Sequence, residues 1–492
     1  MIAAALILKD RDLNSQLLRK RLWELISLVD PDPDPWVNKV RGVVASKDLA
    51  ALEKLAHEMQ QEGLLRQLSP SMFIFVSFSL PEAKQESWLR MGQSYHPADF
   101  WCNFDLANFL SEKKRPVEAV GYYYAALAIR PNTCAVYNNL GTARHDQKNL
   151  PAAIDAYKKA LAIDDNATAW SNLGVALRDQ KDLPAAIEAY KKALAIDDKY
   201  AAAWSNLGIA LHGQKNLPAA IDAYKKALAI DDKFANAWTN LGNALREHKN
   251  LPAAIDAYRK ALAIDDKLAL AWYNLGNALY DQKYLPATID AYKKALAIDD
   301  RFANAWTGLG NALREQKNLP AAIDAYKKAL AINDKFAEAW TNLGIALIEQ
   351  RSLPAGIHAF KKAVTIDDKN AKAWYNLGKV LHDQKNFSAA IDAYKRALAI
   401  DDKYAFAWNG LGSALHHQKN LPAAIDAYKK ALAIDDKNAI TWNNLGIALR
   451  GQKNLPAAIG LDRYPITHLH ANEAKNFLDG IETSLWTLKR FI

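Results

Sequence analysis

The apolar residues of this chain recur with a helical spacing, and the pattern that they form repeats every 34 residues. In the copy at 167–200, Trp170, Leu173 and Leu177 are three and four residues apart, which places them on one face of a first helix. A second apolar stripe with the same kind of spacing follows at 187–194. Each copy is therefore predicted to be a helix, a short turn and a second helix, with the two apolar faces in contact.

Short signals mark where these helices begin. Pro184 is expected in the first turn of the second helix, where a missing N–H donor is tolerated. The acidic pair Asp197 and Asp198 is a candidate N-cap for the first helix of the next copy. The second helix is nearly constant between copies, and its 16-residue sequence LPAAIDAYKKALAIDD is unchanged at 150–165, 217–232 and 421–436.

The copies form a continuous array. Nine of them carry a tryptophan at the same place, at Trp170, Trp204, Trp238, Trp272, Trp306, Trp340, Trp374, Trp408 and Trp442. One copy cannot cover its own apolar stripes, so neighbouring copies must stack. Burying each large apolar side chain contributes about 1.5–3 kcal/mol. The predicted fold is an all-α solenoid with ten full repeats from residue 100 to 438 and a half repeat that ends near residue 459.

The repeated unit resembles the tetratricopeptide repeat family. Trp170, Leu173 and Gly174 match the Trp-x-x-Leu-Gly opening of that family, and Ala186 and Tyr190 match its later Ala-x-x-x-Tyr motif. The resemblance covers about three quarters of the chain. It implies a right-handed superhelix of helix-turn-helix units, in which the first helices line the concave side and the second helices the convex side.

Outside the array the period is lost, although the composition still favours helices. We expect a helical N-terminal region at 1–99, with helices near 15–29, 35–44 and 46–63 and a degenerate helix pair over 69–97. After residue 459 the consensus breaks off. The segment 460–492 is expected to end in an amphipathic helix that caps the stack, and the alternative is an incidental, loosely packed terminus.

The net charge of +9 raises the question of a nucleic-acid partner. The repeat at 201–234 has a net charge of only +1, so the excess is spread thinly along the array. Asp222 and Lys226 are four residues apart and are expected to pair on one helix face. A nucleic-acid footprint is therefore not the favoured interpretation. Two cysteines, Cys102 and Cys134, favour neither a disulfide framework nor a cysteine-built metal site.

No motif for catalysis stands out in the sequence. There is no HExxH zinc motif and no GxSxG elbow, so we expect no enzyme activity, no cofactor and no metal site. No stretch has the apolar length of a membrane span and no signal peptide is apparent, so a cytoplasmic protein is expected. The segments 32–41 and 95–133 resemble the region between kinase and repeats in planctomycete-type bacterial serine/threonine kinases, but the kinase motifs are missing.

The surface that varies between copies is the candidate binding site. The first helix changes at its second, fifth, ninth, twelfth and thirteenth residues, whereas the second helix hardly changes. A constant frame below a changing surface is typical of a modular peptide groove, and the alternative is drift of exposed positions. Secondary contacts in the groove are predicted from the twelfth residue, at Arg178, Arg246, Tyr280, Arg314 and Arg450.

One position of the first helix is nearly constant. The residue before each Leu-Gly pair is an asparagine at Asn139, Asn172, Asn206, Asn240, Asn274, Asn342, Asn376 and Asn444. This resembles the asparagine ladder in the repeat domain of O-linked N-acetylglucosamine transferase, whose amides hold the backbone of a peptide. An amide can do so because it both donates and accepts. The pattern is interrupted at Gly308 and Gly410, and the alternative is an asparagine that hydrogen-bonds within its own repeat.

Together these observations favour a scaffold whose concave groove binds an extended peptide or a partner domain. The alternative is the non-catalytic, substrate-recruiting part of a bacterial serine/threonine kinase system. Near-identical repeats also make self-association possible, which would appear as a concentration-dependent mass.

Overall fold

The computed structural model describes residues 49–61 and 68–453, together with the single residues 39, 43 and 65. Every regular element in these ranges is an α-helix, which confirms the all-α prediction. The helices expected before residue 46 and after residue 459 lie outside the described residues. The chain divides into two compact units, Met1–Asp232 and Lys233–Ile492.

The first unit begins with helices that precede the regular array. The expected helix over 46–63 is found as α1, and the expected pair over 69–97 is found as α2 and α3. Phe73 of α2 and Trp88 of α3 pack with their ring centroids 5.9 Å apart. The described helices of this unit are α1 (Leu49–Gln61), α2 (Pro70–Ser79), α3 (Glu82–Tyr95), α4 (Phe100–Glu112), α5 (Pro116–Ile129), α6 (Cys134–Asp146), α7 (Leu150–Ile163), α8 (Ala167–Asp179), α9 (Leu183–Ile196), α10 (Ala201–Gly213) and α11 (Leu217–Ile230).

The second unit continues the same alternation of a 13-residue first helix and a 14-residue second helix. The described helices of this unit are α12 (Ala235–Glu247), α13 (Leu251–Ile264), α14 (Ala269–Asp281), α15 (Leu285–Ile298), α16 (Ala303–Glu315), α17 (Leu319–Ile332), α18 (Ala337–Glu349), α19 (Leu353–Ile366), α20 (Ala371–Asp383), α21 (Phe387–Ile400), α22 (Ala405–His417), α23 (Leu421–Ile434) and α24 (Ala439–Gly451). Even-numbered helices from α4 onward are first helices, and odd-numbered helices from α5 onward are second helices.

The two helices of a repeat approach closely at the glycine of the Leu-Gly pair. A Cβ atom at residue 174 would lie 2.6 Å from Cε1 of Tyr190. Tyr190 is fully buried, and Ala186 and Ala193 on the same helix are buried with it. The missing side chain at residue 174 therefore makes room for the tyrosine ring, and that contact sets the distance between the two helices of the hairpin.

A capped turn joins the two helices. In the fourth repeat, Asn216 N donates to Leu211 O at 3.0 Å and Lys215 N donates to His212 O at 2.9 Å, which closes the end of α10. Lys215 has a φ of 65°, a region that favours glycine. Asn216 then caps α11 by accepting from Ala219 N at 3.4 Å. The equivalent turns all place a lysine or arginine at positive φ, where the cation also lies near the negative end of the first helix.

The predicted role of the acidic pair is wrong. Asp197 is the C-cap residue of α9, and α10 begins after Tyr200, which makes no side-chain cap. Asp197 Oδ1 instead accepts from Lys199 N at 3.0 Å. Asp198 O accepts from the indole nitrogen of Trp204 at 2.8 Å. The pair therefore shapes the loop between repeats, because two residues separate it from the helix that it was expected to cap.

Trp204 of the fourth repeat is held by a lysine and an aspartate of the second helix and by the preceding loop. Lys226 Nζ lies 4.6 Å from the centroid of the Trp204 ring, within cation–π range. The same ammonium is 3.0 Å from a carboxylate oxygen of Asp222, which confirms the expected pair. Because Lys226 and Asp222 belong to the second helix and Trp204 to the first, this arrangement links the two helices of the repeat.

Candidate functional site

The residues that vary between repeats lie on one face of the first helices. We number each first helix from 1 to 13, so that in α10 position 1 is Ala201. Positions 2, 5, 6, 9, 12 and 13 are three or four residues apart and share a face. We call this face the first-helix stripe. In α10 it consists of Ala202, Ser205, Asn206, Ile209, His212 and Gly213.

The asparagines of the predicted ladder occupy position 6. Most are half-buried, and Asn342 is buried with 5% of its surface exposed. Four of them donate a hydrogen bond to the side-chain carbonyl of an asparagine on the preceding first helix. The accepting asparagine is at position 9 or position 5 of that helix. These bonds are Asn139 to Asn108 at 2.9 Å, Asn172 to Asn138 at 3.0 Å, Asn274 to Asn243 at 3.0 Å and Asn444 to Asn409 at 3.1 Å. The side-chain nitrogens of these four residues therefore join neighbouring repeats.

The other members of the ladder differ. The amide nitrogen of Asn376 donates to Lys372 O in its own helix at 2.9 Å. Asn206 follows a repeat with Ser171 at position 5 and Val175 at position 9, neither of which offers an amide carbonyl. Within 68–453, the side chains of Asn206 and Asn240 make no hydrogen bond to protein. Asn342 makes no such bond in the described residues either, but it is buried, so the half-buried amides of Asn206 and Asn240 are the ones that present both a donor and an acceptor.

The residue at position 9 lies near the hydroxyl of the buried tyrosine in its own repeat, and an asparagine there can accept a hydrogen bond from it. Where it is asparagine, its carbonyl accepts from the tyrosine hydroxyl, as in Tyr123 to Asn108 at 2.9 Å, Tyr258 to Asn243 at 2.8 Å, Tyr292 to Asn277 at 2.7 Å and Tyr326 to Asn311 at 2.7 Å. In the third repeat position 9 is Val175, and the buried hydroxyl of Tyr190 has no hydrogen-bond partner in the described structure. Position 9 is thus partly a structural position, which the variation between copies alone did not indicate.

The two interruptions of the ladder share a structural cause. A Cβ atom at residue 308 would lie 2.7 Å from Cζ of Tyr292, on the preceding second helix. The ring of Tyr292 also packs against Tyr273, with centroids 5.9 Å apart. Gly410 is placed in the same way against Tyr394. In both cases the preceding repeat carries a tyrosine at position 5, and the glycine accommodates the crowded aromatic rings.

The predicted secondary contacts at position 12 mostly join neighbouring repeats. Three of them, Arg246, Tyr280 and Arg314, contact an acidic residue at position 13 of the next first helix. Arg246 Nε is 2.8 Å from Asp281, Arg314 is 3.3 Å from Glu349, and Tyr280 donates to Glu315. Burial and the carboxylate of Glu315 raise the pKa of Tyr280 to about 12. The sequence signal for these pairs is an acid that follows a donor by 35 residues.

The remaining position-12 residues behave differently. Arg178 pairs with Asp179 of its own helix at 3.0 Å, and Asp179 also contacts His145 at 2.8 Å. Arg450 is half-buried on α24. In the ninth repeat position 12 is His382, which packs against His417 at position 13 of the tenth repeat, with ring centroids 5.2 Å apart. Burial and the neighbouring His417 lower the pKa of His382.

The described residues hold no group of three or more histidine, cysteine or acidic side chains arranged to bind a metal ion. Cys102 and Cys134 are both free thiols. Among the helices of the described ranges, none is both long enough and apolar enough to span a lipid bilayer.

Sequence comparisons identify the repeated unit. Several family models, each described as a tetratricopeptide or TPR repeat, match residues 98–166 and 165–233, 223–256, 242–283 and 310–351, and 371–404 and 405–438. Together they cover more than half of the chain. No curated protein sequence matches the chain.

Several solved structures are similar to parts of the chain. The crystal structure of MamA is 29% identical and covers 34% of this chain and 97% of its own, with a TM-score of 0.32. YrrB, described as a TPR protein with an unusual peptide-binding site, is 25% identical over 40% of this chain and 99% of its own, with a TM-score of 0.33. The Cut9–Hcn1 hetero-tetramer structure of the APC/C is 14% identical over 92% of this chain and 96% of its own, with a TM-score of 0.45.

Proposed function

This chain belongs to the tetratricopeptide repeat family, and from that premise we propose that it is a protein-interaction scaffold whose first-helix stripe binds an extended peptide segment of a partner. Proteins of this family generally act as scaffolds without catalytic activity. The chemistry of the described residues agrees with that role, because the stripe offers amides, hydroxyls and charged groups rather than a clustered set of catalytic side chains.

The observation that carries the proposal is the contrast between the two helices of a repeat. The second helices keep their Ala, Tyr and Leu residues buried in every repeat from α9 onward, with only conservative exceptions such as Phe360. The first-helix stripe changes from repeat to repeat, and its positions 2, 9, 12 and 13 are half-buried or exposed in every described repeat. Position 5 differs, since Ser171, Ser205 and Thr239 are among its buried side chains. A rigid frame with a variable surface gives each repeat its own side-chain preference, which is what reading an extended peptide requires.

The asparagine ladder enters this proposal in a narrower form. Asn139, Asn172, Asn274 and Asn444 each use one N–H of the side-chain amide between repeats, so they offer a peptide fewer free hydrogen-bonding groups. Asn206 and Asn240 keep both functions. We therefore expect these two residues to contribute most to holding a peptide backbone, at about 0.5–1.5 kcal/mol for each hydrogen bond.

A role in a bacterial serine/threonine kinase system is the second candidate. Its support is the sequence resemblance of 32–41 and 95–133 to the region between kinase and repeats in such enzymes. In this second candidate function the same first-helix stripe would bind the substrate of a kinase, and this chain itself would carry out no catalysis.

The proposal is tested by selecting peptides from a random displayed library on the intact chain. The affinity of the selected peptides is then measured for an Asn206→Ala, Asn240→Ala double variant. Two lost backbone contacts predict an affinity at least about fivefold weaker. The control is Gln214→Ala, which removes an exposed amide from the turn after α10, outside the first-helix stripe.

Amide hydrogen exchange then locates the peptide. Protection of the first helices supports the proposal. Protection confined to the second helices, or an affinity that is the same for the double variant and the control, contradicts the role given to these asparagines.

A further inference from the structure

The ninth repeat differs from every other described repeat in carrying cationic residues at positions 2 and 9 of its first-helix stripe. At positions 2 and 9 it carries Lys372 and Lys379, and no other described first helix has a cationic residue at either position. Both lysines are exposed. The only acidic residue at these positions in the second unit is Glu338 of the preceding repeat, and it forms no ion pair with either lysine in the described structure.

These two lysines are arranged to act together. They are seven residues apart on α20, which separates them by about 10 Å along the helix axis and places them on the same face. Asn376 lies between them, and its amide nitrogen is occupied by Lys372 O at 2.9 Å. Its side-chain oxygen remains available as an acceptor. The face therefore presents two ammonium groups on either side of one amide.

The next repeat adds an apolar neighbour. Phe406, at position 2 of α22, has 56% of its surface exposed, unlike the small or polar residues at this position in most repeats. Position 6 of α22 is Gly410, so no side chain projects from that position of the stripe. An occupant of this region therefore meets two cations followed by an aromatic ring.

We propose that α20 and α22 form the part of the scaffold that recognises an acidic segment of the partner peptide, with carboxylates at Lys372 and Lys379 and an apolar side chain against Phe406. The stripe of α20 also carries Asp383 at position 13, but neither Lys372 nor Lys379 forms an ion pair in the described structure. The occupant is an acidic peptide because two exposed, unpaired ammonium groups favour a segment with two carboxylates. The spacing of about 10 Å matches acidic residues three positions apart in a polyproline-II-like chain, in which every third side chain points in the same direction. This inference rests on the proposed function, because it assigns a partner chemistry to the same surface.

The test uses fluorescein-labelled peptides of about twelve residues, long enough to cross this region in an extended form. One peptide contains glutamate pairs separated by two alanines, with a single leucine after the last pair. Its two counterparts replace glutamate by glutamine or by lysine. Binding to the intact chain is measured by fluorescence polarisation at low and at moderate ionic strength. The glutamate peptide is expected to bind more tightly than the glutamine peptide, and the difference should shrink as salt is added.

Substitution then assigns the binding to α20. A Lys372→Gln, Lys379→Gln double variant should bind the glutamate peptide about tenfold more weakly and the glutamine peptide unchanged. The matched control, Lys361→Gln with Lys395→Gln, removes the same charge from exposed positions on the second helices α19 and α21. It should keep the affinity of the intact chain. A Lys372→Glu, Lys379→Glu variant should prefer the lysine peptide, which a variant that merely weakened the fold would not do.

Each other outcome overturns the inference. Equal loss in the control variant means that the net charge of the chain attracts the peptide without a site. Equal binding of the glutamate and glutamine peptides to the intact chain refutes the acidic preference while leaving the scaffold role intact. If no peptide binds and library selection also yields none, the scaffold proposal itself fails.

Discussion

The unpaired hydroxyl of Tyr190 allows one prediction to be worked out in detail. Replacing Tyr190 by phenylalanine removes that hydroxyl and keeps the ring, which is fully buried against Gly174. The chain contains a precedent, since the eighth repeat has Phe360 at the same place and Ile345 at position 9. We therefore expect Tyr190→Phe to stabilise the third repeat.

The magnitude follows from the hydrogen bonds. Burying a polar group without a partner costs about 1–3 kcal/mol, so the substitution should raise the local free energy of unfolding by about 1 kcal/mol. The matched control is Tyr258→Phe, because Tyr258 is equally buried but donates to Asn243 at 2.8 Å. Losing that hydrogen bond should lower the local free energy of unfolding by about 1 kcal/mol. The two variants should therefore differ by about 2 kcal/mol and in sign.

The assay must resolve individual repeats, because a stacked array does not unfold in one two-state step. Native-state hydrogen exchange gives the free energy of opening for the amides of α9 and of α13 in each variant. The reasoning is refuted if Tyr190→Phe destabilises α9 as much as Tyr258→Phe destabilises α13. A Val175→Asn variant, which offers Tyr190 a partner, should also stabilise α9.

Two further predictions concern packing and pH. Gly242→Ala should destabilise its repeat by about 1–3 kcal/mol, because the new Cβ would lie 2.5 Å from Cε1 of Tyr258. Gly121→Ala should instead stabilise α5 by up to about 1 kcal/mol, because nothing lies within 4 Å of the new Cβ. Thermal melting of both variants checks that the two effects differ in sign. Burial and the neighbouring His417 lower the pKa of His382 below its usual 6.5. The unfolded chain therefore binds more protons than the folded chain as the pH falls below about 6.5, and α20 and α22 should lose stability there. Native-state hydrogen exchange measures that loss. His417→Asp should reverse that trend by pairing with the protonated ring, and an unchanged pH dependence would argue against the histidine contact.

The helices of this protein were predictable because each follows from short-range spacing. The apolar stripe of Trp170, Leu173 and Leu177 and the early proline at residue 184 determined the hairpin, and the structure places α8 and α9 there. The caps were less predictable. A lysine such as Lys215 at positive φ, followed by Asn216 as the cap, cannot be distinguished in sequence from any polar turn.

The site was predictable as a surface but not in its internal bonds. Asn274 donates to Asn243, 31 residues earlier, whereas Asn172 reaches Asn138, 34 residues earlier. Which of these positions faces the amide depends on the stagger between neighbouring helices, and a sequence period does not give that stagger. The pairs between positions 12 and 13 were missed for the same reason.

The tryptophans give the array a set of matched optical reporters. In seven repeats the indole ring lies beneath a lysine or arginine at 4.2–5.0 Å. In five of them the indole nitrogen donates to a backbone carbonyl of the loop before the helix, at Trp204, Trp272, Trp306, Trp374 and Trp408. Their emission should therefore be nearly identical, so the total fluorescence counts folded repeats. Loss of repeats from one end would lower the signal in equal steps, whereas concerted loss would lower it at once, and the protein would report its own cooperativity without any label.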